Sequence, residues 1–273
     1  MHRKVFRRLA MMTSRDEKSR QDTFPWERSK YHTEYNAILA HYKVVSCLEH
    51  ASGKSLLDLA CGDGLMTSMF SHHFERVVGV DASHAHIEEA RRRVPSARFF
   101  ESLIEDFETH EKFDAVFLLD ILEHVIDPIA VLEKAASFLS PEGVLIAHVP
   151  NAVAINRRLA VLMGTLSSCH ELSPFDIQIA GHRRAYELST LVGDIYAAGL
   201  NVRYTGGIFY KMLSTAQMDW FLQNGLWDQG GFGWGRVGEE KSKDWKAEFC
   251  RAAYELGKQQ PEDCNIIYAC VTK

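Results

Sequence analysis

The 273-residue chain lacks the features that mark a membrane-spanning, secreted or nucleic-acid-binding protein. No apolar run approaches the roughly 18 residues that a membrane-spanning helix needs. No long apolar stretch follows the basic N-terminal residues, which argues against a secretory signal. The formal net charge of -5 disfavours a nucleic-acid groove, because binding phosphates requires a concentrated positive field. A cytoplasmic protein without a membrane or nucleic-acid partner is therefore expected.

The cysteine pattern also argues against a structural metal site. The six cysteines are spread along the chain and none of them form C-x-x-C. Reduced, packed thiols are expected rather than a zinc or disulfide framework. Residues 1–24 are polar and charged and are expected to form a loose tail. The remainder, 25–273, is long enough to bury one large α/β core.

Short apolar runs alternate with amphipathic, helix-like segments along most of this remainder. Such alternation predicts a Rossmann-like α/β fold, with a seven-stranded, mostly parallel sheet and helices on both faces. The predicted strands are 54–60, 76–82, 97–100, 113–120, 143–150, 201–210 and 265–273. Residues 211–264 are too many for a hairpin loop and contain Trp220, Trp227, Trp234 and Trp245. They are interpreted as a helical insertion that forms a lid or the contact of a homodimer.

Small and acidic residues follow the first two predicted strands. Gly62 and Gly64 allow a tight turn and a close approach of the backbone to a ligand. Asp81 ends the second strand, where a carboxylate can accept hydrogen bonds from both hydroxyls of a ribose. The alternative for Gly62 and Gly64 is a plain tight turn, and the alternative for Asp81 is a helix N-cap. Together these residues predict a nucleotide site at the carboxyl ends of the strands.

The same turn disfavours a dinucleotide such as NAD. The dinucleotide pattern G-x-G-x-x-G needs a third glycine, and Thr67 stands in its place. Asp58 and Asp63 would repel a pyrophosphate, whereas they suit a ligand that carries an ammonium and a sulfonium. S-adenosylmethionine (SAM) carries both groups, so SAM is the expected cofactor and S-adenosylhomocysteine (SAH) the expected product.

Five segments resemble one branch of the class I SAM methyltransferases, the ubiquinone-biosynthesis-type and related small-molecule enzymes. The segments are LLDLACGDG, VVGVDAS, SLIEDF, FDAVFLLDILEHV and GVLIAHVPNA, within about residues 55–210. The first motif of this family usually has three glycines, and Ala60 replaces the first of them here. The resemblance implies that 25–273 form a SAM-dependent methyltransferase domain.

The resemblance also implies a set of cofactor-binding residues. These are Asp58, Ala60, Gly62, Gly64, Asp81, Ala82, Leu103, Ile104, Leu119 and Asp120. Asp58 and the backbone around Ala60 and Gly62 would hold the methionine part, and Asp81 would hold the ribose. Ala82, Leu103 and Ile104 would flank the adenine, while Leu119 and Asp120 would lie near the transferred methyl group. Core packing is the alternative for Leu103, Ile104 and Leu119.

Three residues are candidates for catalysis. His124 follows the fourth strand and can accept a proton near neutral pH, with Glu123 orienting it. His182 precedes a helix that in relatives covers the acceptor pocket. A structural role in shaping the loop is the alternative for each. No metal ligand is assigned, although Asp120, Glu123, His124 and His182 together form an alternative divalent-metal site.

Two further groups are weaker candidates. Arg183 and Arg184 are candidates to bind an anionic acceptor, with a solvated loop as the alternative. Tyr31, His32 and Tyr35 are candidates to close over SAM, with core packing as the alternative.

The resulting hypothesis is methyl transfer from SAM to an oxygen or nitrogen of a small molecule, such as a sugar, a nucleotide-linked sugar or a natural product. Nucleic-acid methylation is an alternative, although an N-P-P-Y-type motif is absent and 149–152 read VPNA. A non-catalytic SAM-binding scaffold is another alternative. A dehydrogenase is the least favoured.

Overall fold

A seven-stranded sheet forms the centre of the protein. The computed structural model describes residues 14–23, 33–229 and 243–273. The strands are β1 (Ser55–Leu59), β2 (Arg76–Asp81), β3 (Arg98–Glu101), β4 (Phe113–Leu119), β5 (Leu139–Pro150), β6 (Asn201–Tyr210) and β7 (Cys264–Thr272). Their order is β3-β2-β1-β4-β5-β7-β6, and β7 is antiparallel to both of its neighbours while the other pairs are parallel. The predicted Rossmann-like, mostly parallel sheet is confirmed.

Helices cover both faces of the sheet. They are α1 (Ser14–Thr23), α2 (Glu34–His50), α3 (Leu65–Phe70), α4 (His84–Arg93), α5 (Pro128–Ser137), α6 (Ile155–Leu162), α7 (Leu188–Ala197), α8 (Thr215–Asn224) and α9 (Trp245–Gln259). A single π-helical turn, Asp176–Ala180, precedes α7. Within the described ranges, every helix is too short or too polar to cross a membrane.

Local sequence accounts for several helix boundaries. α5 begins at Pro128, and the Asp127 side chain accepts hydrogen bonds from the amides of Ile129 and Ala130, as expected of an N-cap followed by proline. α4 begins after Ser83, whose hydroxyl caps it. α1 differs from the expectation of a loose tail. Its first turn is acidic and its last turn is basic, the arrangement that the helix dipole favours.

The two faces of the sheet bury separate apolar clusters. On one face, Leu57 and Val80 pack with α5 and α7. On the other face, Leu56 and Phe117 pack with α2, α3, α8 and α9. Burial on both faces explains why the central strands are almost continuously apolar.

The described helices of the 211–264 insertion pack onto the second of these faces. Tyr254 of α9 is buried there, and Asp219 of α8 accepts a hydrogen bond from the amide of Tyr35 in α2. Trp234 lies outside the described residues. A lid or homodimer role for the insertion stays a prediction.

The strand order reverses between β1 and β4, because the chain passes from β1 to β2 on one side and then returns to β4 on the other. In open α/β sheets a crevice forms beyond the carboxyl ends of the strands at such a point, and ligands bind in it.

Candidate active site

The turn after β1 adopts a left-handed backbone at three positions. Ala60, Gly62 and Gly64 have φ angles of 63°, 55° and 77°. A Cβ on Gly64 would lie 3.0 Å from the Cα of Ala90, so a glycine here lets α4 pack closely. The amide of Gly62 donates to Oδ2 of Asp81 at 3.0 Å, which ties the turn to the end of β2.

Asp81 lies at the junction of the turn, β2 and α4. Its Oδ1 accepts a hydrogen bond from the amide of Ser83 at 2.9 Å and lies 3.3 Å from Nδ1 of His86. These contacts hold the carboxylate at the edge of a cleft. A carboxylate in this position can accept hydrogen bonds from ribose hydroxyls.

The cleft encloses about 460 Å³ of space, part of which is open to solvent. Its wall includes five of the predicted cofactor residues, namely Ala60, Asp81, Ala82, Leu103 and Ile104. The other five, Asp58, Gly62, Gly64, Leu119 and Asp120, lie outside that wall. The wall also includes His124, together with Glu17 and Gln21 of α1. No sequence motif pointed to the two α1 residues.

Asp58 is buried beneath the turn, 2% exposed. Burial raises the pKa of its carboxyl to about 7, and the hydrogen bond from Thr67 at 2.6 Å opposes part of that rise. The side chain is therefore poised between its neutral and charged forms near neutral pH.

Asp120 follows β4 in a left-handed conformation, with φ of 54°. Its Oδ2 forms an ion pair with Nζ of Lys43 from α2, while its Oδ1 is buried and has no hydrogen-bond partner among the described residues. A ligand ammonium that reached this atom would supply the missing donor. Sequence reasoning missed Lys43. The signal was a lysine four residues from both Leu39 and Cys47, on the apolar face of α2.

The three predicted catalytic side chains meet beyond β4. Nε2 of His124 lies 3.6 Å from Oε1 of Glu123, and the rings of His124 and His182 are 5.0 Å apart. Burial raises the pKa of Glu123 well above its usual range, and its carboxylate oxygens have no hydrogen-bond partner within the described ranges. Burial lowers the pKa of His124 to about 3 and also lowers the pKa of His182, so both rings are neutral at pH 7.

The same three side chains have the donor set of a divalent-metal site. One ligand atom from each of Glu123, His124 and His182 lies within 4.8 Å of the others. Neutral imidazoles and a carboxylate are suitable ligands. Asp120 is not part of this group, because Lys43 pairs with its carboxylate. The four-residue metal hypothesis is therefore reduced to three residues.

A second cleft encloses about 300 Å³ of space, part of it open to solvent, beside the predicted catalytic residues. Its wall includes Glu123, His182, Asn151, Arg157 and Asp176. Because His124 lines the first cleft and the other two predicted catalytic residues line the second, the cluster lies between the two clefts.

Arg183 and Arg184 bind the chain itself rather than presenting their charges to solvent. The guanidinium of Arg184 donates to the carbonyls of Leu122, Val125 and Ile126 at 2.6, 2.6 and 2.9 Å. Arg183 donates to the carbonyl of His124 at 2.6 Å and pairs with a carboxylate of α1. The solvated-loop interpretation is wrong, because both cations hold the segment that carries the predicted catalytic residues. The anion-binding interpretation stays a prediction, since Arg184 also lines the second cleft.

The aromatic residues proposed to close over SAM are only partly described. Tyr31 and His32 lie outside the described residues. Tyr35 is fully buried with its ring edge-on to Phe209 at 5.5 Å, so it packs in the core.

Comparison with known proteins identifies the family. A family model described as a methyltransferase domain matches residues 28–205. A ubiquinone biosynthesis O-methyltransferase from Rhodopseudomonas palustris (strain TIE-1) is 30% identical over 113 residues, 40% of this chain and 44% of that protein. The corresponding enzyme of Bradyrhizobium sp. (strain ORS 278) is 33% identical over 143 residues, 49% of this chain and 55% of that protein. The chain thus spans about half the length of the curated relatives it matches.

Solved structures show the fold. The plantazolicin methyltransferase BpumL, in complex with a triazolic desmethylPZN analog and SAH, has a TM-score of 0.59 and 18% identity, covering 99% of this chain and 98% of that chain. A SAM-dependent methyltransferase from Mesorhizobium loti has a TM-score of 0.54 and 14% identity, and the match covers 86% of this chain and 98% of that chain. Because the family model spans more than half of the sequence and the sheet has the strand order described above, the chain belongs to the methyltransferase domain family.

Proposed function

We propose that the protein is a SAM-dependent methyltransferase that transfers a methyl group to an oxygen or nitrogen of a small molecule and releases SAH. The observation that carries this proposal is the position of Glu123, His124 and His182 between two adjoining clefts. The wall of the first cleft includes Asp81, which suits a ribose, and the apolar residues Leu103 and Ile104, which suit an adenine. The second cleft is smaller, and its wall is partly apolar. This arrangement suits a cofactor and an acceptor that meet at the cluster.

The first cleft is assigned to SAM. Asp81 would accept hydrogen bonds from the ribose, and Leu103 and Ile104 would contact the adenine. The ammonium of the methionine part would lie near the free Oδ1 of Asp120, where a buried acceptor has no donor within the described ranges. Asp58 is a second, deeper carboxyl, which lies beneath the turn and interacts electrostatically with Asp81.

The second cleft is assigned to the acceptor. Its apolar wall residues include Pro150, Ala152 and Leu172. The guanidinium of Arg157 already pairs with Asp176 at 3.2 Å and donates to the carbonyl of Glu171 at 2.5 Å. Because the arginines described in this wall are engaged within the protein, a neutral acceptor fits better than a nucleotide-linked sugar. An oxygen acceptor is favoured because the matched curated relatives are named as O-methyltransferases.

Methyl transfer needs alignment more than proton removal. The sulfonium of SAM already activates the methyl group, which moves when the acceptor lone pair forms a new bond and the carbon–sulfur bond breaks. Holding the acceptor in line contributes roughly 7–11 kcal/mol, whereas a general base contributes a factor of about 10²–10⁴. The two clefts supply the alignment, and the cluster between them supplies the base.

His182 is the proposed proton acceptor. It lines the acceptor cleft, whereas His124 lines the cofactor cleft and lies 3.3 Å from the carbonyl of Gly181 through Nδ1. His182 is neutral and so has a lone pair available near pH 7. His124 and Glu123 would then position His182 and the acceptor.

The test of the cofactor assignment is ligand binding to the wild type and to Asp81→Ala. SAH at about 100 times its dissociation constant should stabilise the wild type by about 2.7 kcal/mol in thermal melting. Loss of hydrogen bonds to a charged group should weaken SAH binding by about tenfold or more in Asp81→Ala, measured by calorimetry. Asp106→Ala, at an exposed position, is the matched control and should bind like the wild type.

Three outcomes would contradict the proposal in different ways. A wild type that does not bind SAH would remove the cofactor assignment. Stabilisation by NAD instead would favour a dehydrogenase. SAH binding without methylation of any oxygen or nitrogen acceptor in a broad panel would favour a scaffold.

A further inference from the structure

The helix α1 lies on the cofactor cleft but precedes the residues that match the family model. The match begins at residue 28, whereas α1 spans Ser14–Thr23. Glu17 and Gln21 both line the cleft, and Glu17 is 6% exposed. The family match alone therefore assigns no role to this helix.

One set of contacts holds α1 to the side of the cleft where the adenine and ribose would bind. Nζ of Lys18 lies 2.5 Å from Oε1 of Glu101, at the end of β3. Oδ1 of Asp22 accepts a hydrogen bond from the amide of His84 at 3.1 Å, at the start of α4. These contacts anchor the helix beside Asp81.

A second set of contacts holds α1 to the loop that carries His182. Oε2 of Glu17 accepts a hydrogen bond from the guanidinium of Arg183 at 2.6 Å. Both side chains are buried, with exposed fractions of 8% and 10%. Arg20 also reaches the carbonyl of Gly181 at 3.5 Å. The helix therefore spans the cleft from the cofactor side to the catalytic side.

The composition of α1 indicates that this attachment is reversible. Its sequence, SRDEKSRQDT, contains no apolar residue, so no hydrophobic burial holds it in place. Its 10 residues are also fewer than the roughly 12–15 that an isolated helix needs in water. The contacts that hold the helix on the cleft are polar within the part of the chain that the structure describes, and segments held in this way open at low free-energy cost.

We propose that α1 is a strap that closes over bound SAM, and that the buried ion pair between Glu17 and Arg183 is its latch. The inference rests on the proposed function, because it takes the first cleft as the SAM site. The strap must release for the cofactor to enter or leave. The latch therefore controls how long SAM and SAH stay bound.

The experiment compares Glu17→Gln with Glu75→Gln in the full chain. Both variants remove one carboxylate from an ion pair, but Glu75 is 71% exposed and pairs with Lys54 away from the cleft. The dissociation rate of SAH is measured by stopped-flow displacement. Glu17→Gln should release SAH about tenfold faster, because removing one partner of a buried ion pair leaves the other charge uncompensated. Glu75→Gln should match the wild type.

Limited trypsin digestion gives a second readout that does not depend on activity. Saturating SAH should slow cleavage after Lys18 and Arg20 in the wild type, and this protection should be lost in Glu17→Gln. If Glu17→Gln does not fold, Lys18→Ala at the other anchor replaces it and should also release SAH faster. The strap proposal is overturned if SAH leaves the folded variants at the wild-type rate, or if SAH does not slow cleavage in α1. A wild type that binds no SAH overturns the proposed cofactor site as well, which separates the two failures.

Discussion

Replacing Asp58 by Asn should change how stability depends on pH. Asp58 is almost completely buried, and its folded-state pKa is about 7 compared with 3.8 for an ordinary aspartate. Asn keeps the shape of the side chain and an oxygen that can accept the hydrogen bond from Thr67. The substitution therefore removes the titration while it preserves the packing.

The sign of the change in stability with pH depends on the protonation of Asp58 in the folded and unfolded states. Below the unfolded pKa of 3.8 the carboxyl is neutral in both states, and folding is not penalised. Between that value and about 7 the unfolded chain is ionised while the folded chain keeps its proton, so stability falls as pH rises. The fall is about 1.4 kcal/mol per pH unit while the folded carboxyl stays protonated and becomes shallower as the pH approaches the folded pKa, so about 2 kcal/mol is lost between pH 5 and pH 7. Above the folded pKa the penalty stays constant.

The assay is urea unfolding without ligand at several pH values between about 5 and 8, for the wild type, Asp58→Asn and the exposed control Glu75→Gln. The titration of groups that do not interact with Asp58 cancels in the difference between wild type and Asp58→Asn, which therefore reports on Asp58 and its electrostatic neighbours. The stability of Asp58→Asn relative to wild type should rise by about 2–3 kcal/mol over this range. If the difference in stability between the two proteins stays constant with pH, Asp58 is not a buried carboxyl with a raised pKa.

Three further predictions concern the cluster and the core. His182→Ala should lower kcat by a factor of about 10²–10⁴ and leave the dissociation constant for SAH unchanged. The control His170→Ala, at an exposed position, should retain activity. Equal losses of activity in the two variants would refute a proton-transfer role for His182. Chelation with EDTA should leave activity and melting unchanged, because burial raises the pKa of Glu123 well above its usual range and so disfavours the charged form that a cation would pair with. A loss restored by Mg²⁺ would instead show a metal at the cluster. Tyr35→Phe should leave the free energy of unfolding unchanged or raise it, because the hydroxyl is buried without a partner among the described residues. Tyr186→Phe should cost about 1 kcal/mol, because its hydroxyl donates to a carboxylate at 2.8 Å. Urea unfolding that shows equal losses in the two variants would contradict this.

The sequence by itself determined the features that depend on neighbouring residues. The alternation of apolar runs and amphipathic segments predicted all seven strands, because burial on both faces of a parallel sheet leaves a pattern in each strand. The sequence also showed the turn at Gly62 and Gly64 and the carboxylate of Asp81. The backbone freedom of glycine and the chemistry of a carboxylate are properties of the residues themselves, so they can be recognised without the fold. The motif resemblance then indicated the methyltransferase family, which the family match confirms.

The tertiary structure alone decided which distant residues meet. Arg183 resembled a surface cation in the sequence, yet its partners are the carbonyl of His124 and the carboxylate of Glu17, which lies 166 positions away. Lys43 pairs with Asp120 only because α2 packs against the end of β4. The segment around Glu17 has no apolar periodicity, so nothing local predicted that it would fold as a helix on the cleft. The energy of such long-range polar contacts depends on burial and distance between elements, and neither is encoded in the pattern of any one segment.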